Sequence, residues 1–203
     1  MCVQIGVDFT WERLREELAA ATADDEAGWL PQEVLKGYAQ PSIPAAWTAG
    51  DGGRTLRLLR WGFAAHADAK PHLNARRETL AAKPTFAAAA QTGRCLLPVS
   101  CWHEWRRNGR KREPYRLAAK DGRLLTFAGV RSGGSCAVVT VPAAGVAAWV
   151  HNTGLRMPLI IEPAARAAWL DADFSELAAL ASSDASDLEA TYLSQEPRQG
   201  ELV

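Results

Sequence analysis

The chain opens Met1-Cys2. Methionine is normally trimmed when the following side chain is small, and cysteine qualifies. Cys2 is therefore expected to carry a free α-amine beside its thiol. The amine titrates at about 7.7–8.0, which leaves a useful neutral fraction near pH 7. The thiol is a strong nucleophile wherever its surroundings favour the thiolate. An amine and a thiol on adjacent carbons trap aldehydes: the amine forms an imine, then the sulfur closes a five-membered ring. By position alone, the simpler reading is a cysteine at a frayed terminus with no role.

A trap of this kind needs helpers, and Asn74, Glu104 and His151 have the right types. Opening a sugar hemiacetal requires a general acid, and a carboxylic acid with a raised pKa can serve. Glu104 lies between Trp102 and Trp105, whose bulk can desolvate it. His151 has a ring that titrates near neutrality and can move protons at the imine stage. Asn74 offers a neutral amide to orient the amine or sugar oxygens. Each has a plainer alternative: Glu104 pairs with Arg76 or Arg106, and His151 simply caps a helix.

These residues are far apart, so only a fold unites them. Residues 3–7 alternate apolar and polar and predict a strand that pins Cys2. Thr10 is a plausible N-cap for a helix with Trp11, Leu14 and Leu18 on one face. Residues 24–44, broken by Pro31, Gly37, Pro41 and Pro44, read as irregular. A strand is expected over 55–61, then a loop in which His66 and His72 are solvated. A short helix is expected to begin at Asn74, and another over 85–91 with Gly93 closing it. Strands follow at 94–98, 101–105, 114–118, 123–130 and 136–141, then a helix over 143–150, a strand at 156–161 and a helix started by Pro163. Within 101–105, His103 and Trp105 should face one way, Trp102 and Glu104 the other. Arg106, Arg107, Arg110, Lys111 and Arg112 crowd the turn at Asn108-Gly109; taken alone, this is better read as a solvated hairpin tip than as phosphate contact. From Asp171 the chain turns acidic and Ser/Ala-rich.

Composition sets outer limits. The chain has 203 residues, 48% of them hydrophobic, which suits one globular domain. Formal net charge is zero, so any nucleic-acid site must come from local clustering. No signal peptide or membrane-spanning run is read, and a cytoplasmic, nucleoid-associated monomer is expected. Cys2, Cys95, Cys101 and Cys136 match no zinc spacing. His103-Glu104 lacks the second histidine of a zinc protease, because Arg107 occupies that place. No metal or other cofactor is expected. The Ala, Arg and Trp content fits a GC-rich bacterial gene.

Taken together, the local words form a pattern. Met1-Cys2, Trp61-Gly62, Asn74-Ala75-Arg76-x-Glu78-Thr79, Lys83-Pro84-x-Phe86, Arg94-Cys95-Leu96-x-Pro98, Glu104-Trp105, Phe127-Ala128-Gly129, Val150-His151 and Arg156-Met157-Pro158 occur in that order. The chain in this respect resembles the SRAP family, the SOS-response-associated peptidases or abasic-site processing proteins. The resemblance is strongest over residues 2–170, with 171–203 as an acidic C-terminal extension of a single domain spanning 1–203. It implies an α+β fold: antiparallel β-sheet folded into a barrel-like body with flanking short helices. It implies binding to single-stranded DNA with abasic sites. There the terminal cysteine condenses with the ring-opened sugar to give a thiazolidine crosslink that shields the lesion, a lyase-type activity with possible autoproteolytic removal of Met1. The family's catalytic set falls on Cys2, Asn74, Glu104 and His151. Arg76, Arg156 and Trp61 fall among its DNA-binding positions.

The pattern is departed from in places. Cys-Gly-Arg becomes Cys2-Val3-Gln4, Asn-x-Ala-Pro becomes Tyr38-Ala39-Gln40-Pro41, and the residues after Trp-Gly become Phe63-Ala64-Ala65-His66. The one-residue spacing between histidine and Arg-Met-Pro becomes four, Asn152 to Leu155. Stacked bases contribute about 1–3 kcal/mol each in single-strand binders, so these changes bear on DNA grip more than on the covalent step. Two other classes remain open: an N-terminal-nucleophile cysteine peptidase or amidohydrolase, and a divergent non-catalytic protein that binds DNA or a partner.

Overall fold

The structure is a computed structural model that describes residues 2–20, 22–23, 29–64, 70–180 and 185–194. In chain order its strands are β1 (Gln4–Val7), β2 (Thr22–Ala23), β3 (Gln32–Lys36), β4 (Ser42–Thr48), β5 (Arg54–Trp61), β6 (Asn74–Arg76), β7 (Arg94–Val99), β8 (Cys101–Asn108), β9 (Lys111–Ala119), β10 (Leu125–Ser132), β11 (Ser135–Pro142), β12 (Arg156–Pro158) and β13 (Leu188–Tyr192). Its α-helices are α1 (Trp11–Glu17), α2 (Pro84–Thr92), α3 (Gly145–Val150) and α4 (Arg166–Asp171). Single 3₁₀ turns sit at Gly37–Ala39 and Arg77–Thr79.

Two sheets carry the fold. The first runs β13-β9-β8-β1-β3. Strand β1 is held on both edges, with Ile5 opposite Leu35 of β3 and opposite Trp102 of β8. The second runs β12-β11-β10-β7-β4-β5-β2 and curls until β11 also meets β5, in parallel, at Ser135–Arg60 and Cys136–Trp61. The result is the mixed α+β single domain expected from the sequence, sheet-rich with few helices. The barrel-like element takes the form of a partly closed ring. Trp102 of β8 meets Phe127 of β10 edge-on at 5.6 Å, so one aromatic pair joins the two sheets.

Local chemistry accounts for the element ends. The Thr10 side chain accepts from the Arg13 amide and starts α1, whose Trp11 and Leu14 are buried. Arg94, 5% exposed, donates to carbonyls of Ala90 and Gln91 at the end of α2 and of Trp169, Leu170 and Ala172 at the end of α4. One buried guanidinium thus satisfies orphan carbonyls of two helices.

Two expectations are corrected. Residues 32–36 and 42–48 are strands, not irregular chain. Pro44 fits because β4 is paired along β5 but meets β7 only at Ala46. Asn74–Arg76 is a strand beside β11, not a helix start. Tyr192 and its neighbours form β13 against β9, so the C-terminal segment closes the edge of the first sheet.

Gly6 is where β1 is tightest. A Cβ there would stand 2.6 Å from the Glu33 carbonyl oxygen and 2.7 Å from Cys101 Sγ. Gly6→Ala is expected to lower unfolding free energy by about 1–3 kcal/mol, read by urea denaturation. An unchanged midpoint would mean that β1 is free to shift.

Candidate active site

Cys2 lies at the head of β1 and is 1% exposed. Its main chain is held from two directions. Asn74 Nδ2 donates to the Cys2 carbonyl at 2.8 Å, and the Gly37 amide donates to the Val3 carbonyl at 2.9 Å. Burial pushes the Cys2 thiol well above its ordinary range, and the nearby Glu104 carboxylate pushes the same way. The sulfur is therefore protonated at neutral pH. Asn74 Oδ1 is buried without a hydrogen-bond partner, an acceptor left beside Cys2.

Glu104 reaches the same place from the middle of β8 and is 4% exposed. Burial raises its pKa above the usual carboxylate range, while positive charge at His151 and Arg112 works against the rise. Its Oε2 lies 3.8 Å from His151 Nε2. His151 caps the end of α3, its amide bonded to Ala147 O. The ring is held by Arg156: Nδ1 is 2.8 Å from the Arg156 carbonyl and 3.4 Å from the Arg156 amide. These contacts hold the ring with Nδ1 toward the Arg156 main chain and Nε2 facing Glu104. Gly154 packs flat on this ring, where a Cβ would stand 2.4 Å from Nε2. His103, next to Glu104, is pushed down to about 4 by burial and then by Arg116, its cross-strand partner. It is neutral near pH 7.

Two clefts open beside Cys2 and share Val3 and Tyr38. One, about 710 Å³, is lined by Glu104, Trp105, Arg107, Arg112, His151 and Gly154 among others. The other, about 470 Å³, is lined by Asn74, Arg76, Lys83, Thr140 and Arg156 among others. A further cleft of about 500 Å³ along α1 holds Glu12, Arg15 and Glu16 but no nucleophile.

The four residues read as catalytic thus gather at one spot. The three read as DNA-binding divide. Arg76 is exposed in the second cleft. Arg156 lines it too, but its guanidinium is bound bidentately to Glu78 at 2.5 and 3.0 Å and to the Thr140 carbonyl at 2.5 Å. Trp61 is fully buried, its indole N–H donated to Leu73 O at 3.0 Å, and it presents no face to a nucleic acid. It instead backs Gly37, whose missing Cβ would stand 3.2 Å from its ring. His72 is exposed and packs edge-on to Phe86; Met1 and His66 lie outside the described residues. Among the described residues, no group of three His, Cys, Asp or Glu could hold a metal. Sequence reasoning missed Tyr38, 80% exposed on the divide between the clefts, and Gly154. An aromatic stranded between Gly37 and Pro41 was the available signal for Tyr38.

Residues 1–196 match the family model described as SOS response associated peptidase (SRAP). The chain belongs to the SRAP family. The abasic site processing protein YobE of Bacillus subtilis is 30% identical over 168 residues, 73% of this chain and 75% of that protein. The abasic site processing protein YedK of Escherichia coli is 27% identical over 187 residues, 82% of this chain and 80% of that protein. A crystal structure from Bacteroides thetaiotaomicron superposes with a TM-score of 0.85 at 21% identity, covering 96% of this SRAP chain and 93% of the other. One from Bordetella bronchiseptica gives 0.78 at 22%, covering 96% and 100%. These two speak to the fold alone.

The raised Glu104 pKa sets a pH test. The unfolded chain ionises Glu104 near 4.5, whereas the folded protein keeps the proton to higher pH. Across that window the folded state holds the extra proton, so Glu104 lowers stability as pH rises. Glu104→Gln is expected to melt higher than the unsubstituted protein at about pH 8 and to lose that advantage below about pH 4.5. An equal difference at both ends would show that the carboxylate is not desolvated.

Proposed function

We propose that this chain processes abasic sites in single-stranded DNA, forming a thiazolidine between Cys2, once Met1 is removed, and the ring-opened sugar. The gathering of Asn74, Glu104 and His151 around Cys2 carries this reading. The names of the SRAP relatives support the lesion as substrate.

The order of steps follows from the protonation states. The Glu104 carboxyl, whose pKa burial raises, delivers a proton to the sugar ring oxygen as the hemiacetal opens to the aldehyde, and takes back the proton that leaves the anomeric hydroxyl. The neutral α-amine of trimmed Cys2 is the first nucleophile and attacks C1′, and burial of the sulfur works against a competing thiolate. Water leaves and an imine forms. Asn74 fixes the Cys2 main chain, and its free Oδ1 can accept from the amine or a sugar hydroxyl. The sulfur then adds to the imine carbon. Its proton passes through the Glu104–His151 pair to the nitrogen, now the ring amine. Aldehyde plus aminothiol gives thiazolidine plus one water, with no oxidant or reductant.

Arg76 and Lys83 in one cleft, and the arginines of the other, give the DNA backbone a positive path across Cys2. Tyr38 stands on the divide with its ring open to solvent, positioned to stack a base beside the lesion.

Mass spectrometry after incubation with a single-stranded abasic oligonucleotide is expected to show an adduct of protein plus DNA minus one water. Cys2→Ala should give no stable adduct, and Cys2→Ser only an imine that must be trapped with borohydride. Glu104→Gln should slow adduct formation about 10²–10⁴-fold. Unmodified DNA alongside trimmed, reduced Cys2 would sink the proposal. Gly154→Ala, which drives a methyl into His151 Nε2, is expected to slow the single-turnover rate tenfold or more while the melting temperature stays close to that of the unsubstituted chain. A full rate in that variant would remove His151 from the proton path.

A further inference from the structure

Arg107 and Arg112 stand directly opposite each other in the β8–β9 ladder. The Arg107 main chain does not point at β9. Its N–H donates to Asn152 Oδ1 at 3.0 Å, and its carbonyl accepts from Asn152 Nδ2 at 2.9 Å. With both groups turned outward, positions 107 and 112 form a non-hydrogen-bonded pair. That geometry brings opposed Cα atoms to about 4.5 Å and their side chains closest together. Like charges placed directly opposite destabilise a sheet.

Little nearby relieves the repulsion: the buried Glu104 carboxylate in the same cleft acts on Arg112 only at a distance, without an ion pair. Both arginines are exposed, and both line the cleft that holds Glu104 and His151. Among the described residues, neither has a carboxylate within ion-pairing distance. Glu113, beside Arg112 in sequence, is bound by Asn108 at 2.9 Å. Arg112 lies over the Trp105 ring, 5.5 Å from its centroid, which holds the guanidinium above the cleft wall. Two planar cations side by side, neither in an ion pair, at the mouth of a cleft, match an anion that accepts hydrogen bonds from both.

We infer that Arg107 and Arg112 form a phosphate clamp for the DNA backbone on the His151 side of the lesion, with Asn152 holding the Arg107 main chain at the edge of β8. The clamp rests on the proposed crosslinking site, because the cleft it guards is the one that holds Glu104 and His151. It sorts the basic hairpin into two parts: the inner pair binds, while Arg110 and Lys111 at the tip are solvated.

The test compares two charge-matched double variants, Arg107→Gln/Arg112→Gln and Arg110→Gln/Lys111→Gln. One assay is fluorescence anisotropy with a single-stranded oligonucleotide carrying a tetrahydrofuran abasic analogue, which has no aldehyde. The other is adduct formation with a true abasic oligonucleotide at increasing DNA concentration. The inner variant is expected to bind at least tenfold more weakly near physiological salt. Its log-affinity against log-salt slope should be shallower by about 1.4, two phosphate contacts at roughly 0.7 each on a single strand. The half-saturating DNA concentration for its adduct formation should rise by a similar factor. The tip variant should weaken binding less than threefold. The inner variant should also melt no lower than the unsubstituted protein, because a repulsion has been removed. Equal losses in both variants, an unchanged salt slope, or no binding of the analogue by the unsubstituted protein would overturn the clamp. Binding of the analogue that depends on the inner pair, without any adduct, would keep the clamp and remove the crosslinking reading instead.

Discussion

Strand β1 is confined between β3 and β8 with no side chain at Gly6, and the site is built on that confinement. The first residues of a domain normally fray. Here hydrogen bonds to the carbonyls of Cys2 and Val3 fix the main chain beside the nucleophile. The same packing that gives the sulfur a defined position strips it of water and holds its proton. In the proposed reaction a thiol so placed is a poor opening nucleophile and a good ring closer, because the imine that would precede it is a strong electrophile. On that reading burial sets both the location of the chemistry and its order.

Electrostatics work locally in a chain whose formal charge is zero. The buried carboxylate of Glu104 stands against an imidazole whose Nδ1 is committed to the Arg156 carbonyl. Arg156 in turn is bound by Glu78 and Thr140. A chain of contacts therefore runs from an exposed ion pair to the orientation of His151. Arg156 acts there as a support for the ring, which is a different task from the phosphate contact its motif implies. The cationic residues that face the clefts with no such bond are Arg76, Lys83, Arg107 and Arg112. A formal charge near zero thus conceals a positive strip on either side of Cys2.

Much of this was legible in the chain. The alternation at 3–7, the Thr10 cap and the apolar run that follows Arg94 in β7 are written in residue types that have few other uses. The four residues read as catalytic were legible as candidate chemistry, though nothing in their spacing fixed their meeting. Strands β3 and β4 were hidden by Pro31, Pro41 and Pro44, since proline punctuation says nothing of an edge left partly unpaired. β6 was hidden because it is three residues long and owes its form to pairing with β11. Trp61 shows a different limit: a tryptophan in a DNA-binding word and a tryptophan in a core look alike until the partner of the indole N–H is known. The hairpin arginines look alike in sequence as well. Register and Asn152 separate the inner pair from the tip.

The longer spacing between His151 and Arg156 need not disturb the site, because the added residues close on themselves. The Leu155 amide donates to the His151 carbonyl at 2.9 Å, so the turn ends beside the point where it began. Leu155 adopts a left-handed conformation, φ 49°, to do this. A leucine there costs on the order of 1–3 kcal/mol and persists only where the surroundings enforce it. Here the enforcing contacts are the bond to His151 and the Ala143 amide on the Leu155 carbonyl. Inside the closed turn, Asn152 takes the edge of β8, Thr153 lines the cleft, and Gly154 lies flat on the imidazole. Glycine is required at 154 because any larger residue would meet Nε2, the nitrogen that faces Glu104. The extension therefore leaves the histidine and its arginine adjacent and adds a wall to the cleft, changing what the site can grip while leaving in place what reacts.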